Sequence, residues 1–197
     1  MILAIHQPNF LPWLGFFDKI SKCDELVILD DVQVASDGTT TRTKIRTPTG
    51  WTWISVPVDN SKGNLNEAKP LITESWIKET RLKIDRSYGR KRIGVNEMFK
   101  IGLLANFRPS NSLAQFNLRI IKHLSNIEGI NPKITPSSDL NVDGTKEDRI
   151  LNICKEMGAD TYLSGQGGKT YLKQFRFDQA GIKLEFQDFI HPVYDLS

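Results

Sequence analysis

The chain has 197 residues, 39% of them apolar and 25% charged, with a formal net charge of +3. That length suits one α/β domain with a core that needs no disulfide or metal, and the charge is too mild for a nucleic-acid-binding stripe. The composition excludes a disordered chain, a disulfide scaffold and a membrane-spanning protein, since no apolar run approaches ~20 residues.

In chain order, Ile2–Ile5 (ILAI) reads as a short strand buried on both faces, which places it centrally in a parallel sheet. His6-Gln7-Pro8-Asn9 follows, then a helix over residues 12–22 with Pro12 near its start and Leu14, Phe17 and Ile20 at helical spacing. ELVILDD (residues 25–31) is a second buried strand ending in two carboxylates, which completes a βαβ unit. Residues 35–50 are Thr-rich and basic and read as an exposed ribbon or loop, and residues 51–58 alternate as a strand. A loop spans residues 59–66. Helical patterns run over residues 76–86 and 111–128, the second with Leu113, Phe116, Ile120, Ile121 and Leu124 on one face. INPKITPSSDL is a strand and turn. Residues 146–157 form a helix with Ile150, Leu151 and Cys154 inward and Gly158 closing its end. A strand in DTYLSG, a glycine loop in GQGGK, a helix starting at TYLKQF and an alternating strand in IKLEFQDF complete the chain. The expected fold is a single α/β domain over residues 1–197, mainly parallel, nucleotidyltransferase-like or Rossmann-like, with an inserted polar ribbon.

Strands ending together at one edge of a parallel sheet gather the residues that follow them, and that edge is where open α/β sheets bind ligands. The candidates there are His6 and Gln7 after the first strand, Asp30, Asp31 and Gln33 after the second, Ser137 and Ser138 after PKITP, and Ser164 and Gly165 before the glycine loop. His6 fits a general base or a phosphate contact, or a helix cap. Adjacent strand residues point to opposite faces, so at most one of Asp30 and Asp31 should share a pocket with His6. That carboxylate would orient an acceptor or meet a sugar hydroxyl; otherwise both belong to a solvated turn. Arg42, Lys44 and Arg46 would share one strand face, either clamping a phosphate or forming a solvated basic edge. SGQGGKT resembles a Walker A loop, but the pattern needs glycine at position 163, which is Leu163. What remains is an anion nest of Gly165–Gly168 backbone amides with Lys169. Cys23 and Cys154 have no CxxC partner and no metal spacing, so reduced thiols, no metal and a cytoplasmic location are expected. His123 reads as a surface residue, and Trp51, Trp53 and Trp76 as core or rim aromatics. His191, Pro192 and Tyr194 close the chain.

These pieces together resemble the WbqC-like protein family. The matching stretches are HQPNFLPWLGFFDKI, CDELVILDDVQ, TRTKIRTPTGWTWISVPV, SSDL, KEDRILNICKEMGADTYLSGQGGKTYL, AGIKLEF and HPVY. One departure is Thr41, where the family pattern before Arg42 has Asn. Members usually run on past HPVY into another apolar segment; this chain stops at Ser197. The resemblance implies a place in O-antigen, lipopolysaccharide or other surface-polysaccharide synthesis. It implies a transferase moving an acyl or aminoacyl group onto an amino sugar or nucleotide sugar. His6, Asp30 and Asp31 would be its catalytic group, and Gln7, Gln33, Arg42, Ser137, Ser164, Gly165 and Lys169 would contact substrate. A nucleotidyltransferase-like enzyme using a nucleoside triphosphate, and a non-catalytic ligand-binding subunit, are the alternatives. The expected partner is a small, anionic molecule, with no nucleic acid and no membrane insertion; the cofactor and the oligomeric state are left open.

Overall fold

A computed structural model describes residues 1–35, 38–47, 49–59, 63–88 and 102–193. Positions 36, 37, 48 and 60–62 of the expected ribbon and loop, and Tyr194, lie outside the described residues. By its internal contacts the chain forms two compact units. The first comprises Met1–Gln7, Trp13–Asp31 and Gly129–His191; the second comprises Pro8–Pro12, Val32–Glu128 and Pro192–Ser197.

The first unit is built on five parallel strands: β1 (Ile2–His6), β2 (Glu25–Ile28), β5 (Lys133–Pro136), β6 (Thr161–Ser164) and β7 (Lys183–Phe186). Their order is β5-β2-β1-β6-β7, so β1 is central, as its two apolar faces require. From β1 the chain first builds outward through β2 to β5, then crosses back to β6 and builds the other way to β7. The fold is therefore α/β with a parallel, doubly wound sheet, and the winding reverses between β1 and β6.

Alternation along the strands separates two apolar faces. Leu3, Ile5, Val27, Tyr162 and Leu184 pack with Ile150, Ile153 and Cys154 of α4 (Lys146–Glu156) and Phe177 of α5 (Gln174–Gln179). Gly158, at φ +63°, occupies the left-handed position just past α4 that lets the chain turn into β6. Ala4, Leu26 and Leu163 point to the other side, where α1 (Leu14–Ser21) buries Phe16, Phe17 and Ile20. The expected helical stripe is shifted: Leu14 is exposed, while Phe16 and Lys19 lie inside. The last helix begins inside TYLKQF, at Gln174. Residues Gln166–Thr170 form a 3-10 turn in between.

The second unit contains a two-stranded ribbon, β3 (Arg42–Thr47) and β4 (Gly50–Ser55), with α2 (Glu74–Ser87) and α3 (Leu113–Ile127). Thr73 and Ser112 start these helices by accepting from the amides of Trp76 and Gln115 at 3.1 and 3.2 Å. One ribbon face carries Ile45 and Ile54 into a core with Leu65, Phe107, Leu113, Phe116 and Ile120. Phe10 belongs to that core: it is 1% exposed and its ring lies 6.1 Å from Phe116. Asn117, fully buried on α3, donates to the carbonyls of Pro8 and Thr40 at 2.8 Å each. Asn9 accepts from Thr39 Oγ1 at 2.9 Å. Prolines thus stand where the chain leaves the sheet unit, because Asn9 and Phe10 are spent on a second core.

Among the described residues no helix is long and apolar enough to cross a membrane.

Candidate functional site

The carboxyl edge of the five-stranded sheet collects the ends of β1, β2, β5, β6 and β7. In a doubly wound sheet the crevice opens where the strand order reverses, here between β1 and β6. The β1–β6 ladder ends at the Ala4–Leu163 pair. The next residues of these strands, His6 and Ser164 among them, stand at the mouth of that gap.

His6 is partly buried with its ring edge-on to Phe16, centroids 5.0 Å apart. Its Nδ1 lies 2.9 Å from the Gln7 carbonyl, and since a carbonyl only accepts, Nδ1 carries the proton. Nε2 is then a lone-pair acceptor. Burial pushes the imidazole down to about 3, with the charge of Lys19 adding to the effect. His6 is thus neutral at physiological pH. It is built to accept a proton or a hydrogen bond from a hydroxyl or ammonium, and not to donate to a phosphate. Gln7 is exposed beside it.

Lys19 is a site residue that sequence spacing does not mark. It projects from α1, is 2% exposed, and donates to the Ile5 carbonyl at 3.3 Å. Burial pushes its ammonium down to about 8. The nearby Cys23 thiol is pushed up by burial to about 11, and Cys154 to about 12, so both are inert thiols.

Asp30 and Asp31 do not alternate, because β2 ends at Ile28 and both lie in the turn beyond it. They converge on the end of β5. Asp30 Oδ1 accepts from Ser138 N at 2.9 Å and its Oδ2 from Ser138 Oγ at 2.7 Å. Ser137 Oγ, fully buried, donates to Asp31 Oδ1 at 2.5 Å and lies 3.2 Å from Asp30 Oδ1. Arg149 of α4 pairs with Asp31 Oδ2. The two carboxylates therefore stitch β2 to β5 and α4, and each of their four oxygens already accepts a hydrogen bond.

Ser164, 2% exposed, donates to the Gly165 carbonyl at 3.1 Å. Gly168 folds back over it: a Cβ there would lie 2.2 Å from Ser164 Oγ and 2.8 Å from Leu172 Cδ1. At Gly165 and Gly167 a Cβ would meet open space. Lys169 is exposed, its ammonium 5.5 Å from the Phe186 ring. The indole of Trp13 lies over the first turn of α1, where a Cβ on Gly15 would strike it, and stacks on His191.

Gln33 and Arg42 belong to the second unit. Gln33 bridges to Asn64. The outer ribbon face holds Arg42, Lys44 and Arg46 on β3 across from Ser55, Trp53 and Trp51 on β4, so the three cations share one face as expected. Arg42 lies 4.3 Å over Trp53, and Lys44 lies 4.1 Å over Trp51. Trp51 is exposed, a rim aromatic, while Trp76 packs against the second core. Among the described residues no cluster of His, Cys, Asp and Glu is arranged to hold a metal.

The chain is similar to an uncharacterised protein of Mycobacterium tuberculosis, Rv1507c, with 27% identity over 190 residues, covering 95% of this chain and 82% of the relative. No solved structure matches it. The model of the WbqC-like protein family matches residues 7–196, beginning at the Gln-Pro elbow after β1, and the chain belongs to that family.

Proposed function

We propose that this protein is a transferase of surface-polysaccharide or glycoconjugate precursor synthesis, moving an acyl or aminoacyl group onto an amino sugar or nucleotide sugar. The observation that supports it is the neutral His6, whose Nδ1 is engaged by the Gln7 carbonyl so that Nε2 keeps its lone pair, at the carboxyl end of β1 beside the point where the sheet reverses. The acceptor amine or hydroxyl attacks the acyl carbonyl, its N–C or O–C bond forms, and the bond to the donor's leaving group breaks. His6 Nε2 takes the acceptor's proton and returns one to the leaving group. An imidazole held low in the free protein becomes a stronger base once a substrate anion lies nearby. Asp30 and Asp31 act by holding the rim of the edge through Ser137, Ser138 and Arg149.

A thermal-shift screen of nucleotides, nucleotide sugars and acyl donors, followed by a transfer assay on the hits, tests this reading. Stabilisation by a nucleotide sugar and transfer that is lost in His6→Gln with binding retained are expected. Release of pyrophosphate from a nucleoside triphosphate would replace the reading with nucleotidyl transfer. Tight binding without turnover for any donor would replace it with a ligand-binding subunit.

A further inference from the structure

A lysine buried to 2% exposure ordinarily faces a carboxylate, because an ammonium taken out of water without a counter-charge is costly. Lys19 has none. Among the described residues its hydrogen bond goes to a neutral carbonyl, Ile5 O, at 3.3 Å, longer than the usual N–H···O range. Asp18, next to it in sequence, is bound by Lys22 and Gln187. The ionisable group that acts on Lys19 is the protonated Cys23, and Lys19 in turn acts on the neutral His6; Asp24, which acts on Cys23, accepts from the Ile2 amide.

The position of that carbonyl is a second, independent observation. His6 O accepts from Leu29 N, toward β2, so Ile5 O, one residue earlier, faces β6. The β1–β6 ladder has already stopped at Ala4–Leu163. Lys19 therefore fills the place of the next strand amide, at the spot where the winding reverses. A long bond to a carbonyl on a four-carbon stem is readily exchanged for a charged partner.

We propose that Lys19 is the counter-charge for a phosphate group of the ligand, received in the crevice between the ends of β1 and β6. This rests on the reading of the substrate as a nucleotide sugar, whose pyrophosphate is the group it would meet. A buried ammonium without a carboxylate destabilises the empty fold, and an apolar side chain of similar length would fit better there. Lys19 therefore trades stability for binding.

The test uses the full chain as parent, Lys19→Met, Lys19→Gln and, as a control, Lys22→Met. Melting temperature without ligand is measured at pH 7, and inorganic pyrophosphate, UDP and malonate are titrated by calorimetry at fixed low salt. Lys19→Met should melt at or above the parent. Both Lys19 variants should bind pyrophosphate and UDP about tenfold or more weakly, the loss of one charge-assisted contact, with Lys22→Met unchanged. Lys19→Gln can still donate to Ile5 O, so it isolates the charge if the Met variant folds poorly. Equal pyrophosphate affinity in parent and Lys19→Gln, or no pyrophosphate binding by the parent, overturns the proposal. Malonate binding in place of pyrophosphate overturns the phosphate assignment. The wider reading fails separately: pyrophosphate bound through Lys19, with no nucleotide sugar accepted and no group transferred, leaves this proposal standing.

Discussion

Lowering the pH from 7 to 5 should remove between about 1 and 2 kcal/mol of folding stability through His6 alone. In the folded protein the imidazole sits at about 3, because it is packed against Phe16 and feels Lys19; unfolded, it returns to its ordinary value of 6.5. As the pH falls through 6.5 the unfolded chain takes up the proton and the folded one does not, so the unfolded state is favoured. The stability is fully present above 6.5 and is lost progressively down to about 3. At pH 5 the ratio of the two binding polynomials is about thirty, or about 2 kcal/mol, and the ring's partial exposure trims that figure. Asp18, Glu147 and Asp160 are all held below the usual carboxylate range by their partners, so they also weaken the fold in acid. The measurement must therefore be a difference. Urea unfolding of the parent and His6→Gln at pH 7 and pH 5 should show a steeper fall for the parent. Parallel losses in the two proteins would refute the neutral, buried His6.

Asn117→Ala leaves the Pro8 and Thr40 carbonyls without their donor inside the second core, so calorimetry should show a loss of about 2–4 kcal/mol. Gly168→Ala drives a methyl group into Ser164 Oγ and Leu172 and should cost about 1–3 kcal/mol, while Gly167→Ala, which meets open space, should leave the melting temperature almost unchanged. If the ligand is anionic and Arg42 of the ribbon or Lys169 beside the glycine turn contacts it, replacing that cation by alanine should weaken a nucleotide sugar about tenfold in calorimetry. Parent-like affinity in both variants would remove both side chains from the site.

Elements were legible in the sequence wherever local periodicity is enough. ILAI is apolar on both faces and so reads as an interior strand of a covered parallel sheet, and β1 is indeed central. The stripe from Leu113 to Leu124 and the glycine after residues 146–157 marked α3 and the end of α4. The alternation of Arg42, Lys44 and Arg46 foretold one cationic ribbon face. Strand ends also foretold that His6, Ser137 and Ser164 reach the carboxyl edge, because parallel strands all finish on the same side, whereas Gln33, expected there too, belongs to the second unit.

What stayed hidden depends on contacts between residues far apart in the chain. Nothing in the helical spacing of Leu14, Phe17 and Ile20 marks Lys19; only the packing of α1 on the sheet and the early end of the β1–β6 ladder put its ammonium inside, against Ile5 O. Asp30 and Asp31 look like neighbours on opposite faces of a strand, but β2 stops two residues sooner, and Ser137, 107 positions beyond Asp30, decides where both turn. The Gln-Pro elbow carries a signal for a turn and none for its destination. Phe10 belongs to the core that Phe107 and Phe116 build about a hundred residues later, because a large aromatic is buried wherever the tertiary structure leaves a matching space, and local sequence does not encode that space.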